Sequence, residues 1–237
     1  MQRLWRGLIG AMNGGQGPSE DDPAAARAAM VERQLRARGI ADERVLHAIL
    51  AVPREAFVPE RHRRSAHADD ALPIEAGQTI SQPYIVGRMT ELLHVAVGDR
   101  VLDVGTGSGY QAAVLAELGC RVVSLERIPE LADSARVRLA ELGYGDRVEV
   151  RTADGSLGDP AGAPWRGILV AAAAPAIPEA LRLQLDPDGG RMVLPVGGRD
   201  RQDLISVERR DDEWVETNDG PVMFVPLIGA EGFEPGV

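Results

Sequence analysis

From residue 100 onward, short apolar runs alternate with helix-length segments, and few architectures accept that rhythm. Strand 100–104 leads to helix 108–118, strand 121–126 to helix 129–142, and strand 147–151 to the irregular stretch ADGSLGDPAGAP. Strand 167–173, helix 178–185 and strand 190–196 follow. Apolar strands separated by helices of this length need crossover connections, and so belong to a parallel sheet covered by helices. After Gly197 the pattern changes to strands expected near 203–209, 213–217 and 222–227, an antiparallel ending. The predicted fold is α/β: a doubly wound, mostly parallel sheet with antiparallel C-terminal strands.

Ahead of the sheet, residues 30–38 predict a helix that stops at Gly39. Asp42 is placed to cap a second helix carrying Val45, Leu46, Ile49 and Leu50 on one face, ended by Pro53. The stretch between Pro53 and Gln78 is irregular. Residues 1–28, rich in Gly, Pro and acid toward their end, predict a flexible leader. One domain is expected over 29–233, with a helical segment at 29–77 and the sheet-bearing core at 78–233.

The formal net charge of −10 argues against a nucleic-acid or anionic-membrane surface, and the short cluster Arg61, His62, Arg63, Arg64 reads as a solvated face. No apolar run approaches the ~20 residues of a membrane span, and the N-terminal MQRLWRGLIGAM is a poor signal peptide. The single cysteine, Cys120, excludes an intrachain disulfide and reads as a buried small hydrophobe. A cytoplasmic protein is expected.

The segment VLDVGTGSGYQAAVLA (101–116) is a strand, a tight glycine turn and a helix. Such turns let a ligand approach the main chain, and the helix N-terminus offers unpaired N–H groups. A dinucleotide fingerprint counted from Gly105 requires glycine at 110, where Tyr110 stands. The turn is G-x-G-x-G instead, with Asp103 two residues before it. Glu126 ends the second strand, where an acid can accept from ribose hydroxyls, and Asp154 follows the third, where its side chain or the adjacent backbone can meet an adenine amino group. Three acids on the C-terminal edge of consecutive strands, where such sheets bind ligands, point to S-adenosylmethionine.

Upstream, residues 77–93 read GQTISQPYIVGRMTELL. Together with VPREAFVP (52–59), SLERIPELA (124–132), VAAAAPAIPEAL (170–181), GGRMVLPVG (189–197) and FVPL (224–227), these residues resemble the protein-L-isoaspartate (D-aspartate) O-methyltransferase family over about residues 28–229. The resemblance implies a Rossmann-like methyltransferase fold with an N-terminal helical extension, commonly monomeric. It implies that Thr79, Ile80 and Ser81 lie over the methyl end of S-adenosylmethionine, with Ser81 as the active-site serine. Asp103, Gly105, Thr106, Gly107, Gly109, Glu126, Arg127, Asp154 and Gly155 are the further implied cofactor-binding residues. Substrates would be isoaspartyl (and D-aspartyl) peptides and proteins. Departures from the family pattern are Ala153, Trp165–Arg166 in place of an aromatic-Asp pair, and Ala171. They bear on affinity and preference at the edge of the site more than on the reaction.

A sulfonium methyl is already activated, and a carboxylate with pKa near ~4 is ionised at neutral pH, so no general base is needed. His47, His62, His67 and His94 are scattered and share no motif, and there is no metal-ligand spacing. Ser81 would orient one carboxylate oxygen; it also reads as the N-cap of the helix starting near Pro83. Loop 171–178 and the stretch around Val196–Gly197 are candidate walls for an extended peptide. Two other readings stay open: a relative that methylates a normal aspartate in one dedicated peptide to make an aspartimide, and a non-catalytic S-adenosylmethionine-binding protein.

Overall fold

A computed structural model describes residues 22–234. Its first helix, α1 (Pro23–Met30), begins inside the segment expected to be a leader. The cause is local: Asp22 accepts a hydrogen bond from the Ala24 N–H, and Pro23 takes the first helical turn, where its missing N–H costs nothing. The rest of the predicted leader, residues 1–21, lies outside the described residues. The helical path continues through Val31–Leu35 and Arg36–Arg38 to Gly39, whose φ of 95° ends it. Helix α2 (Glu43–Ala51) starts at the predicted cap, Asp42, and buries Val45, Leu46, Ala48 and Ile49.

Residues Leu72–Pro73 (β1) and Thr79–Ile80 (β2) pair as a small antiparallel hairpin in the region expected to be irregular. Helix α3 (Pro83–Leu92) follows it, with Gln82 at the N-cap and no side-chain cap bond. Ser81 is therefore not the cap; it stands one residue before the N-cap.

The large sheet has seven strands in the order β5-β4-β3-β6-β7-β8-β9. These are β3 (Arg100–Val104), β4 (Arg121–Glu126), β5 (Val148–Thr152), β6 (Gly167–Val170), β7 (Asp188–Gly197), β8 (Gln202–Arg210) and β9 (Glu213–Val222). Pairings from β5 across to β7 are parallel, and β7–β8 and β8–β9 are antiparallel. The two strands expected at 213–217 and 222–227 are one strand, β9, and the chain beyond it leaves the sheet.

Strand β3 lies centrally, with β4 and β5 built outward on one side and β6 and β7 on the other. The connections diverge between β3 and β6, and this leaves a crevice at their carboxyl ends. Helix α4 (Tyr110–Glu117) runs back from that crevice, with all of residues 110–116 buried. It is apolar all round because the sheet takes one side and the N-terminal helices, α2 among them, the other. Helices α5 (Pro129–Glu141) and α6 (Glu179–Leu183) complete the layers. No helix among the described residues is long and apolar enough to cross a membrane.

Candidate active site

The glycine turn forms because the chain must reverse direction between β3 and α4 within five residues. Gly105, Gly107 and Gly109 have φ of 92°, 52° and 90°, the left-handed region open to glycine at little cost. The N–H groups of Gly105 and Thr106 both donate to the Leu125 carbonyl, at 2.9 and 3.2 Å, which ties the turn to the end of β4. The next residue, Glu126, is buried and accepts from the Gly107 N–H and the Ile128 N–H, each at 2.9 Å. Its carboxylate thus holds the turn and keeps spare lone pairs for a ligand hydroxyl.

A cavity of about 230 Å³ opens at this point. Its floor is Val104, Gly105, Gly107, Ala171 and Ala172 at the ends of β3 and β6, with Leu125, Glu126, Arg127 and Ile128 along one side and Gly155 beside them. Gly155 is a glycine for want of room, since a Cβ there would stand 2.5 Å from Val104 Cγ1.

The hairpin brings the second sequence segment over the first. Leu72 pairs with Ile80 and Pro73 with Thr79, and the Ile74 N–H donates to the Gln78 carbonyl at 2.9 Å. The turn is tight enough to hold Ala76 and Gly77 at φ 53° and 68°. Ile74 packs toward the glycine turn, with its Cδ1 3.5 Å from where a Gly107 Cβ would sit. Gly77, Gln78 and Thr79 consequently line the cavity. Ser81, two residues on from Thr79, is half-buried and not among the lining residues, and among the described residues its hydroxyl has no hydrogen-bond partner.

Six of the twelve predicted site residues line the cavity (Thr79, Gly105, Gly107, Glu126, Arg127 and Gly155), and the others do not. Ile80 is buried in the hairpin, and Gly109 backs onto Leu139. Thr106 and Asp103 lie behind the turn: the Thr106 hydroxyl meets Ser124 Oγ at 2.6 Å, and Ser124 donates to Asp103 Oδ2 at 2.6 Å. Asp154 is occupied elsewhere. Its Oδ1 accepts from the Ser156 N–H and hydroxyl, and its Oδ2 from the Ala230 N–H at 2.8 Å. Burial would raise the Asp154 pKa, but these bonds outweigh it and hold the carboxyl below its usual range. Of the two expected roles, the adjacent backbone is the one that faces the cavity.

Asp103 is fully buried, its Oδ1 has no partner, and burial drives its pKa from 3.8 up to about 7, against the Ser124 hydrogen bond and with the Glu126 charge adding. A folded-state pKa above the unfolded value means the native protein binds the extra proton. That stabilisation is fully present below the unfolded value of 3.8, declines as pH rises and is gone above about 7. Asp103→Asn, which has no such proton to lose, should therefore lose less stability than the parent as pH rises from about 4 to 7, as urea denaturation would measure.

The remaining wall was not foreseen as part of the site. Val225, Pro226, Leu227 and Ile228 close the cavity after β9 has ended. They are held by the Ala173 N–H donating to the Val225 carbonyl and the Leu227 N–H to the Ala173 carbonyl, at 2.8 and 2.7 Å. The Glu231 N–H then donates to Ser156 Oγ at 3.0 Å. FVPL was visible as a family motif, but its place against residue 173 depends on contacts some fifty residues apart. Arg166 corrects an expectation. It precedes β6 at the end opposite the cavity and donates to the Asp188 carbonyl, so it does not touch the site edge. His67 pairs with Glu55 at 3.2 Å, away from the cavity. Cys120 is buried, with its thiol pushed up to about 12 by burial.

These residues fit an adenosine-bearing cofactor. The turn can be approached at Gly105 and Gly107, Glu126 supplies a carboxylate, and small residues line the floor. Among the described residues no group of three or more His, Cys, Asp or Glu is placed to hold a metal ion.

A family profile for protein-L-isoaspartate(D-aspartate) O-methyltransferase matches residues 25–232. A protein-L-isoaspartate O-methyltransferase from Methanoculleus marisnigri is 52% identical over 216 residues, covering 91% of this chain and 97% of the relative. Protein-L-isoaspartate O-methyltransferase 2 from Marinobacter nauticus is 54% identical over 209 residues, covering 87% and 94%. A solved protein-L-isoaspartate O-methyltransferase superposes with a TM-score of 0.77 at 27% identity, covering 87% of this chain and 67% of the other. A Plasmodium falciparum relative solved with S-adenosyl-L-homocysteine has a TM-score of 0.72 at 23% identity, over 85% and 98%, and shows the shared fold.

Proposed function

The chain belongs to the protein-L-isoaspartate(D-aspartate) O-methyltransferase family, and from that premise we propose how its cavity serves the reaction. The enzyme transfers a methyl group from S-adenosylmethionine to the carboxylate of an isoaspartyl residue in a damaged peptide or protein. The methyl ester collapses to a succinimide, whose hydrolysis restores some normal aspartate.

One observation carries the choice of a carboxylate acceptor: no His, Cys or Tyr lines the cavity. The chain contains no lysine at all. Glu126, the one acid in the lining, is committed to two backbone N–H groups. A neutral alcohol or a protonated amine would have no base to receive its proton, whereas a carboxylate has none to lose at neutral pH.

S-adenosylmethionine, when bound, supplies a sulfonium-activated methyl group. The chain's own contribution is binding and alignment. Glu126, which fixes the turn, would hold ribose hydroxyls, Gly105 and Gly107 would admit close main-chain approach, and Gly155 and the Val225–Ile228 wall would enclose the base. Asp103 and Thr106 support the turn from behind, and Asp154 fastens the wall through Ala230. Ser81, its hydroxyl uncommitted, would hydrogen-bond one acceptor oxygen and leave the other free to take the methyl group. Proximity and orientation of this kind supply about 7–11 kcal/mol in favourable cases. The net charge of −10 and the single buried thiol support a cytoplasmic enzyme without a nucleic-acid partner, and the family resemblance supports a monomer.

Glu126→Ala should weaken S-adenosylhomocysteine by about 1–3 kcal/mol in calorimetry, and adenosine equally, since the ribose is common to both. It should also lower the melting temperature, because the partly buried Gly107 and Ile128 N–H groups lose their acceptor. The reaction itself is tested with methyl-labelled S-adenosylmethionine and an isoaspartyl peptide. The label should be released as methanol on mild alkaline treatment. Label that resists alkali would mark N-methylation and overturn the carboxylate assignment.

A further inference from the structure

Arg54 is the only arginine among the described residues that is fully buried. Its Nε donates to the Ala66 carbonyl at 2.7 Å and its Nη2 to the Ser81 carbonyl at 2.8 Å. The guanidinium carbon lies 4.9 Å from the centroid of the Tyr110 ring, at the first residue of α4 directly after the glycine turn. One side chain thus joins the loop ending at Ala66, the serine segment and the helix that carries the turn. Nη1 has no partner, and among the described residues no carboxylate pairs with this cation.

Burying a charge without a counter-charge is strongly unfavourable, and an apolar side chain of similar volume would fill the space at lower cost. Packing alone therefore does not account for an arginine here. Two features do. The planar fork reaches two carbonyls in fixed directions, which a lysine cannot copy. The positive charge stands one hydrogen bond from the main chain of the residue that faces an anionic acceptor.

We propose that Arg54 is a positioning residue for methyl transfer: it fixes the main chain of Ser81 against the Ala66 carbonyl, and its unneutralised charge favours a carboxylate acceptor over a neutral one. This rests on Ser81 being the acceptor-site serine. Arg54 touches no cavity-lining atom among its hydrogen-bond partners, so its loss should spare the cofactor.

The test uses Arg54→Lys and Arg54→Gln in the full chain. Calorimetry gives the S-adenosylhomocysteine affinity, steady-state assays give kcat and KM for an isoaspartyl peptide, and binding at saturating S-adenosylhomocysteine compares that peptide with its carboxamide counterpart. Arg54→Lys should lose ~10- to 100-fold in kcat, keep cofactor affinity and keep the preference for the carboxylate. Arg54→Gln should lose both kcat and that preference. Parental kcat in Arg54→Lys, an undiminished carboxylate preference in Arg54→Gln, or cofactor affinity falling in step with kcat would overturn the role. Should Arg54→Gln fail to fold, Arg54→Lys decides. A Ser81→Ala control separates the two levels: parental turnover there removes the serine reading itself, while a slow Ser81→Ala beside a fully active Arg54→Lys removes only the role of Arg54.

Discussion

Ser81→Ala should lower turnover of an isoaspartyl peptide on the order of 100-fold, the scale on which small misplacements of reacting groups act, with cofactor affinity and melting temperature close to the parent's. A capping serine would give a different result: replacing it costs ~0.5–2 kcal/mol of stability and leaves chemistry intact. That alternative loses its footing in the backbone, since Gln82 occupies the N-cap of α3 without a side-chain bond. The Ser81 carbonyl is held by Arg54 at 2.8 Å, so the main chain should keep its path when the hydroxyl is removed. Kinetics at saturating cofactor and peptide, set beside a thermal melt, check both halves. A less stable but fully active variant would return Ser81 to a structural role.

Gly107→Val should abolish cofactor binding within calorimetric range, a loss on the order of 100-fold or more. Two effects combine. At φ 52° a branched residue carries a left-handed penalty of about 1–2 kcal/mol, and its methyl groups add bulk beyond a Cβ that already meets Ile74 Cδ1 and the Gly105 carbonyl. A single Cβ meets only ordinary contact there, 3.5 Å from Ile74, so Gly107→Ala should suffer mainly the backbone penalty and retain weakened binding. The Gly107 N–H also donates to Glu126, so displacing this residue disturbs the acid expected to hold the ribose. S-adenosylhomocysteine titrations of both variants, with circular dichroism to verify folding, measure the difference. Tight binding by a folded Gly107→Val protein would place the cofactor elsewhere.

Much of this site was legible because its signals are local. The turn from Gly105 to Gly109 announces itself by glycine spacing after an apolar run, and Glu126 by its place at the end of the next strand. Both are properties of a dozen neighbouring residues. The mismatches share the opposite character. Asp154 looks like a free strand-end acid until Ala230, seventy-six residues on, donates to it. Val225–Ile228 reads as another strand, yet its partner is Ala173 at a bridge outside the main sheet. Asp103 and Thr106 sit within the motif but meet Ser124, because Ser124 pairs with Asp103 across β3 and β4 and the turn carries Thr106 onto the same hydroxyl. At the other end, Asp22 and Pro23 are a sound helix start that the surrounding Gly, Pro and acidic residues obscured. Arg54 carried no local signal of its contact with Ser81, twenty-seven residues away.

The central claim is that this chain selects an isoaspartyl carboxylate and methylates it from S-adenosylmethionine. It is tested most directly by kcat/KM for two peptides identical in sequence, one with an isoaspartyl and the other with a normal aspartyl residue at the same position. The isoaspartyl peptide should be methylated by orders of magnitude more efficiently, its label passing to methanol as the succinimide forms. Equal methylation of both, or methylation of the normal aspartyl peptide alone, would contradict the claim and point instead to an enzyme that modifies an undamaged aspartate.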